Sequence, residues 1–233
     1  MIYYDIHTHK PAINPENIAI VSLDLRNRER LSAIFSLGGI CISGHIVNTN
    51  NWTEYYSIGV HPWYMDKKLI NTVREHAASP FVIAIGETGL DKITAKSADE
   101  FKLQQEFFME HIDLSEDTGK PLIIHCVKAW DELLHIRKIT KPSKPWIIHG
   151  FKGKAALAEQ LMDAGMYLSF GAKHNADSLK AAWNRRRLLT ETDDSDSDIR
   201  DIYAQIANKL NIPVKELSDN MEIFFNTLIT NRR

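Results

Sequence analysis

At 233 residues, with 44% hydrophobic and 25% charged side chains, the chain has the make-up of an ordinary globular protein of one large domain or two small ones, which excludes a disordered or fibrous class. A formal charge of −2 excludes a global basic field that would draw in nucleic acid, so any such contact has to be local or metal-mediated. The two cysteines, Cys41 and Cys126, form no CxxC motif and no disulfide framework, and no apolar run reaches membrane-spanning length.

The first residues, Tyr3 to His9, read as a short buried strand that stops on two histidines. Side chains alternate along a strand, so His7 and His9 project together from its end, and neutral imidazoles suit first-row divalent metals. Pro11 and Pro15 break any continuation. No basic leader or apolar stretch opens the sequence, and a cytoplasmic protein with no membrane partner is expected. Ile18 to Leu23 reads as a second strand, with no long amphipathic helix between it and the first. Asp24 to Arg30 is charged and loop-like or briefly helical. Ile40 to Val47 is another strand or half of a hairpin.

From Tyr55 onward, strands and helices alternate. Tyr55 to Val60 is a strand ending in His61-Pro62-Trp63, and Asp66 to Ala77 a helix. Phe81 to Ile85 is a strand ending in Gly86-Glu87-Thr88-Gly89-Leu90-Asp91. Ser97 and Glu100 form a capping box that opens the longest helix. Phe101, Gln105, Phe108 and Ile112 give that helix one mostly apolar face, and Gly119 closes it. Pro121 to Ile124 is a strand ending in His125, Trp130 to Ile139 a helix, and Pro145 to Ile148 a strand ending in His149. Ala155 to Ala164 is helical, Met166 to Phe170 a strand, Ala176 to Arg187 helical, and Leu188 to Thr190 a strand ending in Glu191-Thr192-Asp193. Helices near 199–210 and 213–229 finish the pattern.

Such alternation is the signature of βα units and a parallel sheet, and the continuous apolar runs are those of strands covered on both faces. The runs number about eight, so the expectation is an α/β fold, a (β/α)8 TIM-like barrel over residues 1–233 as a single domain, with a reduced first β/α connection. A doubly wound open sheet is the alternative, but no Gly-rich phosphate loop follows an early strand.

In a β/α barrel the active site lies at the C-terminal ends of the strands. That rule gathers His7, His9, His61, Glu87, His125, His149 and Asp193 at one rim. Imidazoles around carboxylates form a divalent-metal site, and this set exceeds what one ion with an open position needs. Two ions are therefore expected, with Glu87 as the bridging carboxylate between its neighbours Gly86 and Gly89. Nitrogen and oxygen ligands permit zinc, manganese, iron or, less readily, magnesium.

The sequence resembles the TatD family of metal-dependent deoxyribonucleases, within the amidohydrolase-like barrels. The matching stretches are DIHTH at 5–9, GVHPW at 59–63, GETGLD at 86–91, KPLIIH at 120–125, HGF at 149–151 and ETD at 191–193. GVHPW followed by GETGLD is the specific pair. The resemblance implies that His7, His9, Glu87 and Asp193 hold one metal and that Glu87, His125 and His149 hold the other. It implies that His61 faces the substrate, and that Asp91 braces a loop or a ligand. The activity implied is metal-dependent hydrolysis at DNA ends, often from the 3′ side, with DNA or another phosphodiester as the partner molecule. Asp193 would orient the attacking water or accept its proton, and His61 or a nearby lysine would bind a phosphate oxygen.

Two departures stand out. The family usually has His-x-Arg after the strand ending at His125; here the residues are His125-Cys126-Val127-Lys128. Lys128 is the substitute for substrate binding, though a point charge cannot offer a bidentate fork. After Glu191-Thr192-Asp193, an acidic run, Asp194 to Asp198, replaces a longer loop and reads as a solvated cap on the following helix. Trp63 and Trp130 stack on a base or pack against loops, Lys152 and Lys173 are exposed loop lysines, and Cys126 packs away from the site. His45, His76, His111, His135 and His174 are structural or exposed, and Arg185 to Arg187 lie at the opposite end of the barrel.

The leading reading is a two-metal phosphodiesterase. The alternative keeps the metals and changes the bond, giving an ester or amide hydrolase such as an aminoacyl-tRNA deacylase or a small-molecule amidohydrolase. A third is a metal-binding protein without turnover. A monomer is compatible with the sequence, which leaves the oligomeric state open.

Overall fold

The computed structural model describes residues 1–11, 14, 16–36, 41–42, 45–46 and 54–230. Its elements run β1 (Tyr3–Thr8), β2 (Asn17–Ser22), α1 (Arg28–Ser36), β3 (Cys41–Ile42), β4 (His45–Ile46), β5 (Glu54–Ile58) and α2 (Lys67–His76). They continue with β6 (Val82–Asp91), α3 (Ala98–Thr118), β7 (Leu122–Val127), α4 (Trp130–Thr140), β8 (Trp146–Ile148) and α5 (Ala155–Asp163). The last are β9 (Tyr167–Phe170), α6 (Ala176–Asn184), β10 (Leu188–Thr190), α7 (Ile199–Leu210) and α8 (Val214–Thr230).

Eight strands form one sheet in the order β1-β2-β5-β6-β7-β8-β9-β10, and every pairing in it is parallel. β3 and β4 pair antiparallel with each other, as a hairpin over 40–47 would require, and among the described residues they take no part in the main sheet. Ile40, Ser43, Gly44 and Val47 lie outside the described residues. No helix is described between β1 and β2, and α1 follows β2, so the first connection is the reduced one.

The sheet curls until its ends meet. Asp193 N–H donates to His7 O at 3.0 Å and His9 N–H to Asp193 O at 3.1 Å, making a parallel bridge between Thr8 and Asp193. Thr190 Oγ1 donates to Tyr4 O at 3.0 Å. Buried Asp5 fastens the same seam, accepting from Thr192 N–H at 3.1 Å and Thr192 Oγ1 at 2.6 Å. The eight strands therefore form a nearly closed barrel with helices outside, as the apolar runs imply.

The core is the set of continuous apolar strands with the inner faces of the helices. Ile6, Ile20, Ile58, Ile83, Ile85, Ile123, Ile147, Leu168 and Leu189 are essentially inaccessible, and Trp146, Phe108 and Phe225 fill the larger gaps. Helix ends follow their local chemistry. Asp66 caps α2 by accepting from Lys68 N–H at 2.8 Å, and Ser97 caps α3 by accepting from Glu100 N–H at 3.1 Å. Glu100 reaches back to Lys96 N–H rather than to Ser97, so the box closes one residue early. Gly119 ends α3 at φ +70°. Asp198 caps α7, the role expected of the acidic run.

The largest departure from the sequence reading is β6. It continues through the whole of Gly86 to Asp91 instead of stopping at Ile85, and its register against β7 shifts between Ile85 and Thr88. Glycine makes this possible. Gly86 and Gly89 hold φ of +141° and +143°, and a Cβ would lie 2.4 Å from Ile123 O or 2.0 Å from His125 O. Among the described residues, no helix is long and apolar enough to cross a membrane.

Candidate metal centre

β1 delivers His7 and, one residue past its end, His9; β6 delivers Glu87; β7 delivers His125. His149 follows β8, Asp193 follows β10, and His61 stands in the turn after β5. Asp193 takes φ +57°, a left-handed conformation that aspartate tolerates, because its N–H and C=O are shared between His7 and His9. The seam of the barrel and the site are thus one set of hydrogen bonds.

Glu87 is at the centre. Its Oε1 lies 2.7 Å from His149 Nε2, 3.0 Å from His61 Nε2 and 3.0 Å from His125 Nδ1. Its Oε2 faces the other way, 3.4 Å from His7 Nε2 and 3.5 Å from His9 Nε2. Asp193 Oδ1 stands 3.7 Å and 3.6 Å from the same two imidazoles. The two carboxylate oxygens therefore face two separate imidazole groups, the disposition expected of a bridging ligand.

Neighbouring groups orient these side chains. Asp91 Oδ2 lies 3.4 Å from His125 Nε2 and accepts from Trp63 Nε1 at 2.7 Å, while its Oδ1 accepts from Ile93 N–H at 2.8 Å. That leaves His125 Nδ1 to face Glu87. His111, expected to be structural, is buried: its Nε2 accepts from Val60 N–H at 2.9 Å, and Nδ1 lies 2.7 Å from Phe107 O. It pins the backbone immediately before His61. Burial pushes the His111 imidazole down to about 4.

Protonation follows from burial and mutual charge. Burial works against the Glu87 carboxylate, but the His149 charge and hydrogen bonds from His125, His149 and His61 hold it well below the usual range. Burial pulls His149 down, yet Glu87, helped by Glu191 and Asp193, lifts it to about 9. Burial, and then His149, lowers His7; the hydrogen bond to Glu87 raises His9; burial lowers His61. Buried Glu191 is pushed up to about 7, chiefly by burial.

The residues present fit divalent cations. Neither ring nitrogen of buried His7 has a hydrogen-bond partner, nor does His149 Nδ1. His125 Nδ1 and His149 Nε2 face each other at 3.2 Å beside Glu87, where a divalent cation would take the place of the proton that Glu87 holds on His149. Among the described residues, three groups have ligating atoms within 4.8 Å of one another: His7, His149 and Asp193; His7, His9 and Glu87; and His61, Glu87 and His125. His61 therefore belongs as closely to Glu87 as His125 does, and His149 stands between the two sets.

A cavity of about 330 Å³ opens over this cluster. His9, His61, Glu87, His125, His149 and Asp193 line its polar part, while Leu23, Leu25, Val60, Trp63, Tyr64 and Leu69 line an apolar wall. Lys128 is not brought there: it stands exposed at φ +55°, outside the lining. Asp24 and Arg26 do line the cavity. In sequence they are part of a charged loop, and the only signal was their place directly after an apolar strand. Cys126 is buried and its thiol is pushed up to about 12 by burial. Asp196 pairs with Lys10, which leaves Asp194 as the member of the acidic run that lines the cavity.

The family model for TatD-related DNases matches residues 40–228. The chain belongs to that family. A metal-dependent hydrolase of Buchnera aphidicola subsp. Baizongia pistaciae is 31% identical over 181 residues, which cover 73% of this chain and 67% of that protein. A second, from Buchnera aphidicola subsp. Acyrthosiphon pisum, is 35% identical over 60% of this chain and 59% of its own length. The chain thus spans about 59% of the Acyrthosiphon pisum relative's length and 67% of the Baizongia pistaciae relative's. A 3′–5′ ssDNA/RNA exonuclease TatD of Erwinia amylovora is 34% identical over 46% of this chain and 42% of its own length. In fold, this TatD-family chain is similar to YjjV, a TatD homologue from Escherichia coli K12, with a TM-score of 0.76 and 20% identity over 97% of both chains.

Proposed function

We propose that the protein is a divalent-metal-dependent hydrolase that cleaves phosphodiester bonds at the ends of DNA strands. The observation that carries this is Glu87, whose two oxygens face two imidazole groups at the floor of a cavity of about 330 Å³. Family membership and the exonuclease description of the Erwinia relative support the choice of bond.

In this reading His7, His9, Glu87 and Asp193 would hold one cation, and Glu87, His125 and His149 would hold the second, with His61, 3.0 Å from Glu87, placed to share in it or to meet the substrate. When bound, such cations lower the pKa of a water and neutralise charge on the phosphate oxygens. Asp193 has a partly exposed carboxylate, with 28% of its side-chain surface accessible, and orients the attacking water or takes its proton. His61 binds a phosphate oxygen. Trp63 and Tyr64, 52% and 45% exposed, offer ring faces to a base.

The test is an assay on end-labelled single- and double-stranded oligonucleotides with manganese- or magnesium-loaded protein, and Asp193→Asn as control. Metal-dependent shortening that the variant loses supports the reading, and the label that disappears first gives the polarity. No shortening by metal-loaded protein overturns it. The second reading, an ester or amide hydrolase, is favoured by the wall of Leu23, Leu25, Val60 and Leu69 and by Asp24 and Asp194 in the lining, which suit a less charged substrate. A panel of esters and amides run beside the oligonucleotides separates the two.

A further inference from the structure

The cavity wall formed after β2 is not used by the metal chemistry. Leu23 N–H donates to Ser57 O at 3.0 Å, which holds the chain against the barrel for one more residue. In the turn that follows, Leu23 and Leu25 are buried while Asp24 and Arg26 are exposed, and all four line the cavity. Arg26 Nε donates to Asp24 Oδ1 at 2.8 Å and Nη2 to Asp24 Oδ2 at 3.0 Å. The guanidinium lies 3.9 Å from the centroid of the Tyr64 ring, which it faces. Tyr64 N–H donates to His61 O at 2.9 Å, so a single turn ties this stacked arginine to a metal-facing histidine.

Among the described residues that line the cavity, Arg26 is the only lysine or arginine, and the carboxylates beside it are Asp24, Glu87, Asp193 and Asp194. Its fork is half used. Asp24 takes the Nε hydrogen and one Nη2 hydrogen, and the Tyr64 side chain is a second hydrogen-bonding partner, so an incoming anion competes with that contact at the outward Nη1/Nη2 edge. That end-on edge matches two oxygens of a phosphate. Stacking and the Asp24 pair hold the plane in place beforehand, so little side-chain freedom is lost on binding.

We propose that Arg26 is a specificity-determining residue that takes a second phosphate of the substrate, the one that the metal-facing groups do not hold. This rests on the phosphodiester reading above and deepens it. Arg26 supplies from the β2 end the bidentate anion fork that the position of Lys128 does not.

The experiment is calorimetric titration of the manganese-loaded full chain with deoxyadenosine 3′,5′-bisphosphate and with the 5′- and 3′-monophosphates. The wild-type protein is expected to bind the bisphosphate about tenfold or more tightly than either monophosphate, the size of a charge-assisted hydrogen-bonded contact. In Arg26→Gln that ratio should fall towards one, and in Arg26→Lys to a value between. The Arg26 side chain is 53% exposed, so the variants should fold, and unchanged thermal unfolding checks that they do. An unchanged ratio in Arg26→Gln, or no bisphosphate preference in the wild type, overturns the proposal. The oligonucleotide assay separates the two failures. A preference that depends on Arg26 without strand cleavage sinks the phosphodiesterase reading and leaves the anion fork standing. Cleavage with a ratio indifferent to Arg26 does the reverse.

Discussion

His7, Glu87 and His149 are carried within or just beyond barrel strands and are almost inaccessible to solvent, whereas Asp24, Arg26, Trp63 and Tyr64 line the cavity from exposed turns. The first group is positioned by the sheet itself. Asp193 is hydrogen-bonded into the backbone of β1, and Glu87 lies within a strand whose glycines touch β7. None of these can move without opening the barrel. The second group is held largely by side chains, a carboxylate fork on a guanidinium, a ring face beneath it and an indole N–H on Asp91, with Tyr64 N–H on His61 O as its backbone tie. A site divided in this way keeps its chemistry constant while its recognition wall is free to change, because turn residues can be replaced without disturbing the strands.

The sharpest break in that comparison is Glu87→Gln. Losing the shared carboxylate should remove bound metal and lower kcat/KM at least ~1,000-fold, more than loss of a supporting group costs. Metal content after dialysis, measured beside turnover, checks it, and full metal retention would sink the bridging role. A second test concerns how the strand side is held. His111 has a folded-state pKa of about 4, below its ordinary 6.5, so its contribution to stability is present above pH 6.5 and is lost as pH falls through about 4. That loss is on the order of 3 kcal/mol at most. Urea midpoints between pH 7 and pH 4 should drop in the wild type and drop less in His111→Gln. Equal slopes would show that this buried imidazole is not the group being protonated.

Asp91 joins the two sides, since it holds both His125 and Trp63. Asp91→Asn should weaken metal affinity about 10- to 100-fold, as expected when a ligand's orienting partner is altered. Metal titration followed by Trp63 fluorescence reads both ends of the contact together. The smallest effect is expected at Lys128. It is exposed and outside the lining, so Lys128→Ala should change kcat/KM by less than about twofold. A tenfold loss there would move the anion contact back to the β7 end and away from Arg26.

Local pattern was enough for much of this molecule. Continuous apolar runs marked the strands, and Asp66, Ser97 and Gly119 marked helix ends, because burial on both faces and the satisfaction of helix termini leave their trace within a few residues. One general rule about where barrel strands end then collected His7, His9, His61, Glu87, His125, His149 and Asp193, and the structure brings all of them to one cluster.

What the sequence by itself determined was therefore the architecture and the list of chemical groups at one rim. The tertiary structure decided how those groups share space. Only the barrel put His61 as near to Glu87 as His125, threaded Asp193 between His7 and His9, ran β6 on through its glycines, turned Lys128 outward and brought Arg26 in over Tyr64. These depend on distances across the mouth between residues far apart in the chain. Strand tilt and closure set such distances, and no local periodicity records them.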